Sequence, residues 1–260
     1  MARINYYWRL IATGASFSVF GVSALFITVT LFPAIHLFSA YRSRAYHRCQ
    51  YVVHLAFRAF IQMMRFLGVL TYEFAHTERL SGASGRIIIA NHPTLLDAVF
   101  VISLLPMTQC VVKKAVWSNP FLAGVMWATG YIQNGDGMVL VDACVRSLEK
   151  GDNLLIFPEA TRTVPGRKLK LRRGAASVIA ASQRPFTSLI ITCEPSTLIK
   201  GQRWFEIPDR KVHFRISVDE PTDPVPLLTA GEQLSKANRR INIAIENLFV
   251  TGSERHGRSN

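Results

Sequence analysis

The stretch Arg86–Phe100 reads RIIIANHPTLLDAVF and combines an apolar strand, a turn at His92-Pro93 and the beginning of a helix. Consecutive β-branched residues bounded by polar ones are typical of a buried strand, and a proline directly afterwards ends it. We expect the helix to begin at Thr94 or Leu95. Active-site loops commonly occupy such strand-to-helix junctions, so this segment is the first place to look for chemistry.

Short apolar runs alternate with helical stretches on both sides of this junction. The apolar runs are VLTYEF, RIIIA, CVVK, NLLIF, TSLIITC and VHFRISV, and the helical stretches include PFLAGVMWATG and LVDACVRSLEKG. Strands that alternate with helices predict an α/β layer fold.

The N-terminal region differs from the rest of the chain because it is apolar over a long distance. Leu10–Ala40 contains 31 residues and no Asp, Glu, Lys or Arg, while about 20 residues suffice to cross a hydrocarbon core. A spanning or re-entrant helix is predicted. A cleaved signal peptide is the alternative, but the run is longer than the roughly 7–15 apolar residues of a signal core.

A second helix is predicted from Tyr41 to Leu70, with one basic and one apolar face. The basic face carries Arg44, Arg48, Tyr51, His54, Arg58, Gln62 and Arg65, and the apolar face carries Val52, Ala56, Phe60, Met63 and Leu67. Such a helix either lies along anionic headgroups or packs against the soluble domain. We favour the membrane, and we divide the chain into membrane-anchoring helices at 1–70 and a catalytic domain at 71–260.

The charge balance narrows the class of partner. Thirty Lys and Arg against 17 Asp and Glu give a formal charge of +13, which suits nucleic acid or an anionic membrane surface. The first acidic residue is Glu73, and seven arginines precede it. This bias favours the bilayer and not nucleic acid. Arg3 and Arg9 precede the apolar run, and three arginines, at positions 42, 44 and 48, follow it. This difference favours a cytoplasmic location for the following domain, although a hairpin that never crosses the membrane also fits these charges.

His92 and Asp97 are the candidate catalytic pair. A helix that turns back over the strand end can point the Asp97 carboxylate at the imidazole. The carboxylate would then fix the histidine tautomer and stabilise the imidazolium that forms when the ring removes a proton from a hydroxyl. In the alternative interpretation, Thr94 and Asp97 merely form a capping box, and His92 is incidental. The spacing alone does not decide between them.

A second strand, NLLIF, ends in the turn PEATRT and is followed by the basic stretch RKLKLRRG. Between Glu159 and Glu194 there are seven Lys or Arg and no acid. The Arg162 guanidinium suits a phosphate, because it offers two parallel donors. A solvated loop is the alternative, which we favour for Arg167 and Lys168.

Together the two segments resemble the glycerolipid acyltransferase family typified by 1-acylglycerol-3-phosphate acyltransferases. NHPTLLD resembles its His-x4-Asp motif, and FPEATRT resembles its FPEGTR motif, with Ala160 where glycine is usual. The resemblance implies a mixed sheet flanked by helices, with His92 as base and Asp97 as its orienting partner. It further implies a substrate site that contains Glu159, Thr161, Arg162, Lys170, Arg173 and Gly174.

The segment GYIQNGDG, Gly130 to Gly137, departs from the family pattern. The family's second motif normally supplies an arginine for the acceptor's phosphate, and none is present here. Either the cations after Arg162 replace it, or the acceptor differs from lysophosphatidic acid. At Ala160, a methyl group would strain any turn that needs a positive φ.

The resemblance implies acyl transfer from acyl-CoA or acyl-carrier protein to a hydroxyl of a membrane lysolipid, without a metal or redox cofactor. A lyso-aminolipid or glycolipid is the alternative acceptor. Two other classes remain open, a non-catalytic basic membrane or nucleic-acid binder and a metal-assisted hydrolase that uses His92, Asp97 and Glu159. We expect a bacterial inner (cytoplasmic) membrane location. The four cysteines form no CxxC pair, so neither a zinc site nor a disulfide framework is indicated.

Overall fold

The computed structural model describes residues 2–82, 84–135, 137–163, 169–229 and 231–257. Seven strands form one sheet in the order β1-β7-β6-β2-β5-β3-β4. The strands are β1 Leu70–Ala75, β2 Ile87–Ala90, β3 Thr108–Lys113, β4 Ile132–Asn134, β5 Asn153–Ile156, β6 Phe186–Glu194 and β7 Val212–Val218. Only β6 and β7 pair antiparallel, and the other neighbours are parallel. The predicted mixed α/β sheet is therefore confirmed.

Helices cover both faces of this sheet. They are α1 Ala2–Phe26, α2 Phe32–Leu37, α3 Arg42–Phe66, α4 Asp97–Leu104, α5 Lys114–Trp117, α6 Pro120–Thr129, α7 Gly137–Glu149, α8 Arg173–Ser182 and α9 Leu234–Gly257. The side chains of β2 alternate between the faces, as a strand requires. Ile88 and Ala90 join a core that includes residues of α3 and α4, whereas Ile87 and Ile89 join a core with residues of α7, α8 and α9.

All six predicted strands are present, and the structure adds β4. Its three residues are too few to show an apolar pattern in the sequence. Helix α4 begins at Asp97, later than predicted, because Thr94 lies before the helix and bonds the Asp97 carboxylate with its own N–H and hydroxyl.

The predicted N-terminal apolar helix is present. A π-helical turn, Ile27–Leu31, joins α1 to α2, and the resulting helix Arg3–Leu37 is long and apolar enough to cross a membrane. Only 6% of its most apolar 18-residue window is buried within the protein. An exposed apolar surface of this size indicates membrane association.

Helix α3 packs its apolar side against the protein. Phe60 and Met64 are buried in the core cluster that also contains residues of α4 and β1, while Arg44, Arg58 and Arg65 are exposed. His54 departs from the predicted basic face. It is buried, and its Nδ1 lies 2.8 Å from the carbonyl oxygen of Ile102. The helix therefore packs on the domain, as the alternative interpretation proposed, and presents a basic outer face.

Candidate active site

The two motif segments leave the sheet at one edge. Strand β2 ends before His92, and β5 ends before the turn that carries Glu159. The two strands are parallel neighbours, with Ile87 opposite Leu154. The carboxyl ends of parallel strands lie at the same edge of a sheet, so segments far apart in sequence meet there.

His92 and Asp97 form a hydrogen-bonded pair. Nδ1 of His92 lies 2.8 Å from Oδ2 of Asp97, and the carboxyl group is fully buried while the imidazole keeps a partial exposure. A carboxylate only accepts hydrogen bonds, so Nδ1 carries the proton, and the lone pair of Nε2 remains able to accept another. The Phe157 ring packs against the imidazole, with centroids 4.5 Å apart, and helps to hold it in place.

Asp97 also receives two hydrogen bonds from Thr94. The backbone N–H of Thr94 donates to Oδ2 and its hydroxyl donates to Oδ1, both at 2.6 Å. Burial raises the pKa of the Asp97 carboxyl above its ordinary value, and the hydrogen bonds and charge of His92 and the two Thr94 bonds oppose this effect. The two interpretations of the Thr94–Asp97 spacing are therefore compatible, because one carboxylate serves the loop and the histidine together.

Glu159 connects the two loops. Its Oε1 accepts the backbone N–H of His92 at 2.9 Å, and its Oε2 accepts the hydroxyl of Thr163. Thr163 in turn donates its backbone N–H to the carbonyl of His92 at 2.7 Å. Glu159 is buried and occupied by these bonds, so the structure gives it a bracing role beside the histidine.

Arg162 holds a third loop against the site. Its Nη1 donates to the carbonyl oxygens of Leu198 and Ile199 at 2.9 and 3.1 Å, and its side chain lines the cavity described below. The neighbouring Ala160 has φ +54°. The turn therefore does need the left-handed conformation that glycine adopts more easily than alanine.

Of the remaining predicted residues, the structure brings Thr161 and Gly174 to the cavity wall. Lys170 and Arg173 are exposed and are not among the lining residues, whereas the adjacent Arg172 is. Arg167 and Lys168 lie outside the described residues.

Two lysines that lie outside the two motifs also face this site. Lys113 ends β3, and Lys200 follows the loop that Arg162 holds; both line the cavity. Partial desolvation and the nearby charges of Lys200 and Arg162 lower the pKa of Lys113. Lys113 pairs in register with Asn134 of GYIQNGDG, so it lies beside the segment that lacks an arginine. The position of Lys113 at the carboxyl end of a strand was the available sequence signal.

A cavity of about 1340 Å³ opens from His92. One wall consists of apolar residues from α1, α3 and α6, including Phe20, Phe57 and Val125, and the cations Lys113, Arg162, Arg172 and Lys200 lie elsewhere in the lining. This volume exceeds the roughly 300–1,000 Å³ of pockets for drug-sized molecules. An apolar wall with clustered cations suits a lipid that bears an anionic group.

Within the described ranges, no group of three His, Cys, Asp or Glu side chains could hold a metal ion. The four cysteines are buried, and burial raises the pKa of the Cys110 thiol to about 12.

Comparisons with known proteins show which sequences this chain resembles. The family model described as Acyltransferase matches residues 72–192, which confirms the resemblance inferred from the two motifs. A 1-acyl-sn-glycerol-3-phosphate acyltransferase of Helicobacter pylori is 33% identical over 101 residues, which are 36% of this chain and 43% of that protein. A chloroplastic enzyme of the same name from Arabidopsis thaliana is 28% identical over 171 residues, 62% of this chain and 46% of that protein.

The fold also matches a solved structure. The crystal structure of the 1-acyl-sn-glycerophosphate (LPA) acyltransferase from Thermotoga maritima superposes with a TM-score of 0.59 at 16% identity, covering 95% of this chain and 99% of that one. This likeness shows the fold. The chain spans about half the length of the curated relatives that it matches.

Proposed function

We propose that this protein is an O-acyltransferase, because residues 72–192 match the family model described as Acyltransferase. It moves a fatty acyl group from acyl-CoA or acyl-carrier protein to a hydroxyl of a membrane lysolipid. The observation that carries this proposal is the His92–Asp97 pair at the mouth of a large apolar cavity. The single histidine base and the lipid-sized space are both what direct acyl transfer requires.

The proposed reaction is a direct transfer. His92 Nε2 removes the proton of the acceptor hydroxyl while its oxygen attacks the thioester carbonyl. The tetrahedral intermediate then collapses, the carbon–sulfur bond breaks, and the imidazolium returns the proton to the departing thiolate. Asp97 holds Nδ1–H throughout and stabilises the transient imidazolium. The residues need no metal or redox cofactor for these steps.

The acceptor that fits best is 1-acylglycerol-3-phosphate, which would yield phosphatidic acid. Lys113, Arg162 and Lys200 bring three cations to one cavity, and a phosphate monoester is the lipid group that three cations suit. These side chains would replace the arginine that GYIQNGDG lacks. That missing arginine is also the observation that favours the second candidate, the same chemistry on a lyso-aminolipid or glycolipid.

We further propose that the protein resides in a bacterial inner membrane with its catalytic domain on the cytoplasmic side. Arg42, Arg44 and Arg48 directly follow the apolar run, whereas only two arginines precede it. This difference supports the orientation, because Lys and Arg close to the end of a membrane helix favour the cytoplasmic side. A reporter fused after Gly257 should be active only when it is cytoplasmic. Activity of a periplasmic reporter at that position would contradict the orientation.

The deciding experiment offers purified protein a panel of acceptors with both acyl-CoA and acyl-carrier protein as donors. Lysophosphatidic acid should be acylated, and His92→Ala should abolish transfer in a protein that still folds and binds membranes. Full activity of that variant would overturn the mechanism. Transfer only to a phosphate-free lysolipid would establish the second candidate. Salt-sensitive DNA binding without any acyl transfer would support a binding protein instead.

A further inference from the structure

The loop between β6 and β7 exposes two large aromatic side chains. Trp204 is 49% exposed and Phe205 is 42% exposed, and their rings meet edge to face with centroids 5.5 Å apart. Single exposed apolar residues are common, but an aromatic pair that joins a larger apolar surface marks an interaction site. This pair, called here the aromatic loop tip, has such a neighbour.

The loop is fixed to the apolar helix α1. An ideal Cβ placed on Gly14 would lie 3.1 Å from the indole of Trp204, so the absence of a side chain there lets the ring lie against the helix. Arg9 is buried, and its guanidinium donates to the carbonyl oxygens of Pro208, Asp209 and Arg210 at 2.8, 2.6 and 3.0 Å. The loop and α1 therefore move as one surface.

The aromatic loop tip extends the exposed side of α1. At 100° per residue, Gly14 lies within about 60° of Tyr7 and Ile11 on the helix wheel. Those two side chains are 61% and 66% exposed. Trp204, seated on Gly14, thus borders the apolar surface that faces outward from the protein.

Charges around the loop match an anionic surface. The segment from Lys200 to Lys211, with both ends counted, contains four basic residues and two acidic ones, Glu206 and Asp209. The Arg203 guanidinium lies 5.7 Å from the centroid of the Phe205 ring. Aromatic rings beside cations are typical of segments at the membrane–water interface, where the ring enters the headgroup layer and the cation meets lipid phosphates.

We propose that Trp204 and Phe205 insert into the interfacial layer of the bilayer leaflet that covers the outer face of α1, with anionic headgroups beside Arg203, Arg210 and Lys211. The consequence for catalysis rests on the proposed function. Arg162 binds the carbonyl of Ile199 and Lys200 lines the cavity, so anchoring this loop holds the mouth of the cavity at headgroup depth. A lysolipid could then reach His92 without leaving the membrane.

The first test measures the depth of residue 204 and does not depend on enzymatic activity. The chain has four tryptophans, so changing Trp8, Trp117 and Trp127 to Phe leaves Trp204 as the only reporter. This variant is reconstituted into vesicles of phosphatidylcholine and phosphatidylglycerol. Lipids brominated on the upper acyl carbons should quench its fluorescence at least twofold more than aqueous iodide does.

The matched control moves the reporter to an exposed apolar position distant from the loop in sequence. In this control protein all four native tryptophans are changed to Phe, and Val225, which is 54% exposed, is changed to Trp. Iodide should quench this control, and brominated lipid should not. If Trp204 is quenched by iodide alone, or is shielded from both quenchers by a second copy of the chain, the proposal is overturned.

A second variant avoids the triple tryptophan replacement. In the variant Trp204→Ser with Phe205→Ser in the native background, the apolar helix Arg3–Leu37 still holds the protein in the bilayer. Equal flotation of this variant and of Val225→Ser with anionic vesicles therefore serves as the check that both proteins are membrane-bound. The same variant should acylate a lysolipid presented in vesicles more slowly but retain its rate in detergent micelles. An unchanged rate in vesicles would contradict the insertion. Absence of acyl transfer by the wild-type protein in both settings would contradict the proposed function, and the fluorescence measurement would still test the insertion.

Discussion

The Asp97 carboxylate accepts hydrogen bonds from His92 Nδ1, the Thr94 N–H and the Thr94 hydroxyl while it is shielded from solvent. All three donors come from within five residues. The loop itself thus assembles the proposed base and its proposed orienting group, and the surrounding core only has to exclude water. This local construction explains why the pair is visible as a motif.

Replacing Asp97 by Asn should lower kcat by about 10²–10⁴-fold, because the amide no longer fixes the imidazole tautomer or stabilises its charged form. The KM for the acceptor should change little, since Asp97 is buried behind the histidine. Steady-state kinetics with a melting curve as the folding check would measure both. Asp142→Asn, an exposed change on α7, is the control. A variant within a few-fold of wild type would rule out the role given to Asp97.

Lys113 gives the proposed phosphate site a pH dependence. Its pKa is lowered, so the lysine loses its charge at a lower pH than an ordinary lysine, and the KM for a phosphate-bearing acceptor should rise as pH passes through that value. Lys113→Arg should postpone the rise to higher pH, because guanidinium stays charged. The measurement is KM against pH for both proteins, with Lys150→Arg as control. If KM rises at the same alkaline pH in the wild-type protein and in Lys113→Arg, Lys113 does not bind the phosphate.

Ala160 should be replaceable by the glycine that the family favours. Its φ of +54° is strained for alanine, and relieving that strain should raise the free energy of unfolding by about 0.5–1 kcal/mol. Chemical unfolding of Ala160→Gly would test this. In the control Ala181→Gly, within α8, the same change should be destabilising. A loss of stability in both variants would show that the turn carries no strain.

At the scale of elements, a glycine in α6 lets this helix approach the π-helical turn that follows α1 closely. An ideal Cβ on Gly124 of α6 would lie 2.3 Å from Cγ2 of Thr28, which belongs to the π-helical turn after α1. Local departures from α-helical geometry often occur at functional sites, and Ile27 of the same turn lines the cavity. The close approach closes one wall of that cavity.

Gly124→Ala should therefore force the two helices apart and lower the free energy of unfolding by about 1–3 kcal/mol. Thermal unfolding in detergent would show a lower Tm. Gly21→Ala is the control, because a Cβ there meets nothing within 4 Å, and it should be neutral or slightly stabilising. Equal Tm values for both variants would contradict this packing.

At the scale of the whole molecule, the N-terminal helices and the sheet share one core. Ala12 and Phe32 from the apolar helix and Phe60 from α3 belong to the same buried cluster as Ile88 and Phe214 of the sheet. One hydrophobic core therefore contains residues from both sides of position 70. The division of the chain there into a membrane-anchoring part and a catalytic part stays a prediction about function. Removing the helices would expose the apolar side chains that they cover.

A chain that begins at residue 71 is accordingly expected to lose cooperative unfolding and to aggregate, because one face of its sheet would be open to water. Calorimetry in detergent would compare it with the full chain. Deletion of the residues after Val250 provides a truncation control that spares this face. A sharp transition together with retained acyl transfer in the shorter chain would show that the sheet domain folds alone.

The sequence by itself determined six of the seven strands, the apolar N-terminal helix and the His92–Asp97 pair. These features depend on alternation, on composition and on contacts within five residues, all of which are local. The three-residue β4 had too little pattern to be recognised. Helical periodicity alone places His54 on the basic face of α3, because it does not show that α4 lies against that position.

Only the tertiary structure decided which distant residues share the site. Glu159 became a brace because β2 and β5 are neighbours, and Lys113 and Lys200 reached the cavity because β3 and the β6–β7 loop end at the same edge. It likewise decided that α3 packs against both α4 and α1. The physical reason is that strand order and helix packing are set by burial of the whole chain, which no local pattern encodes.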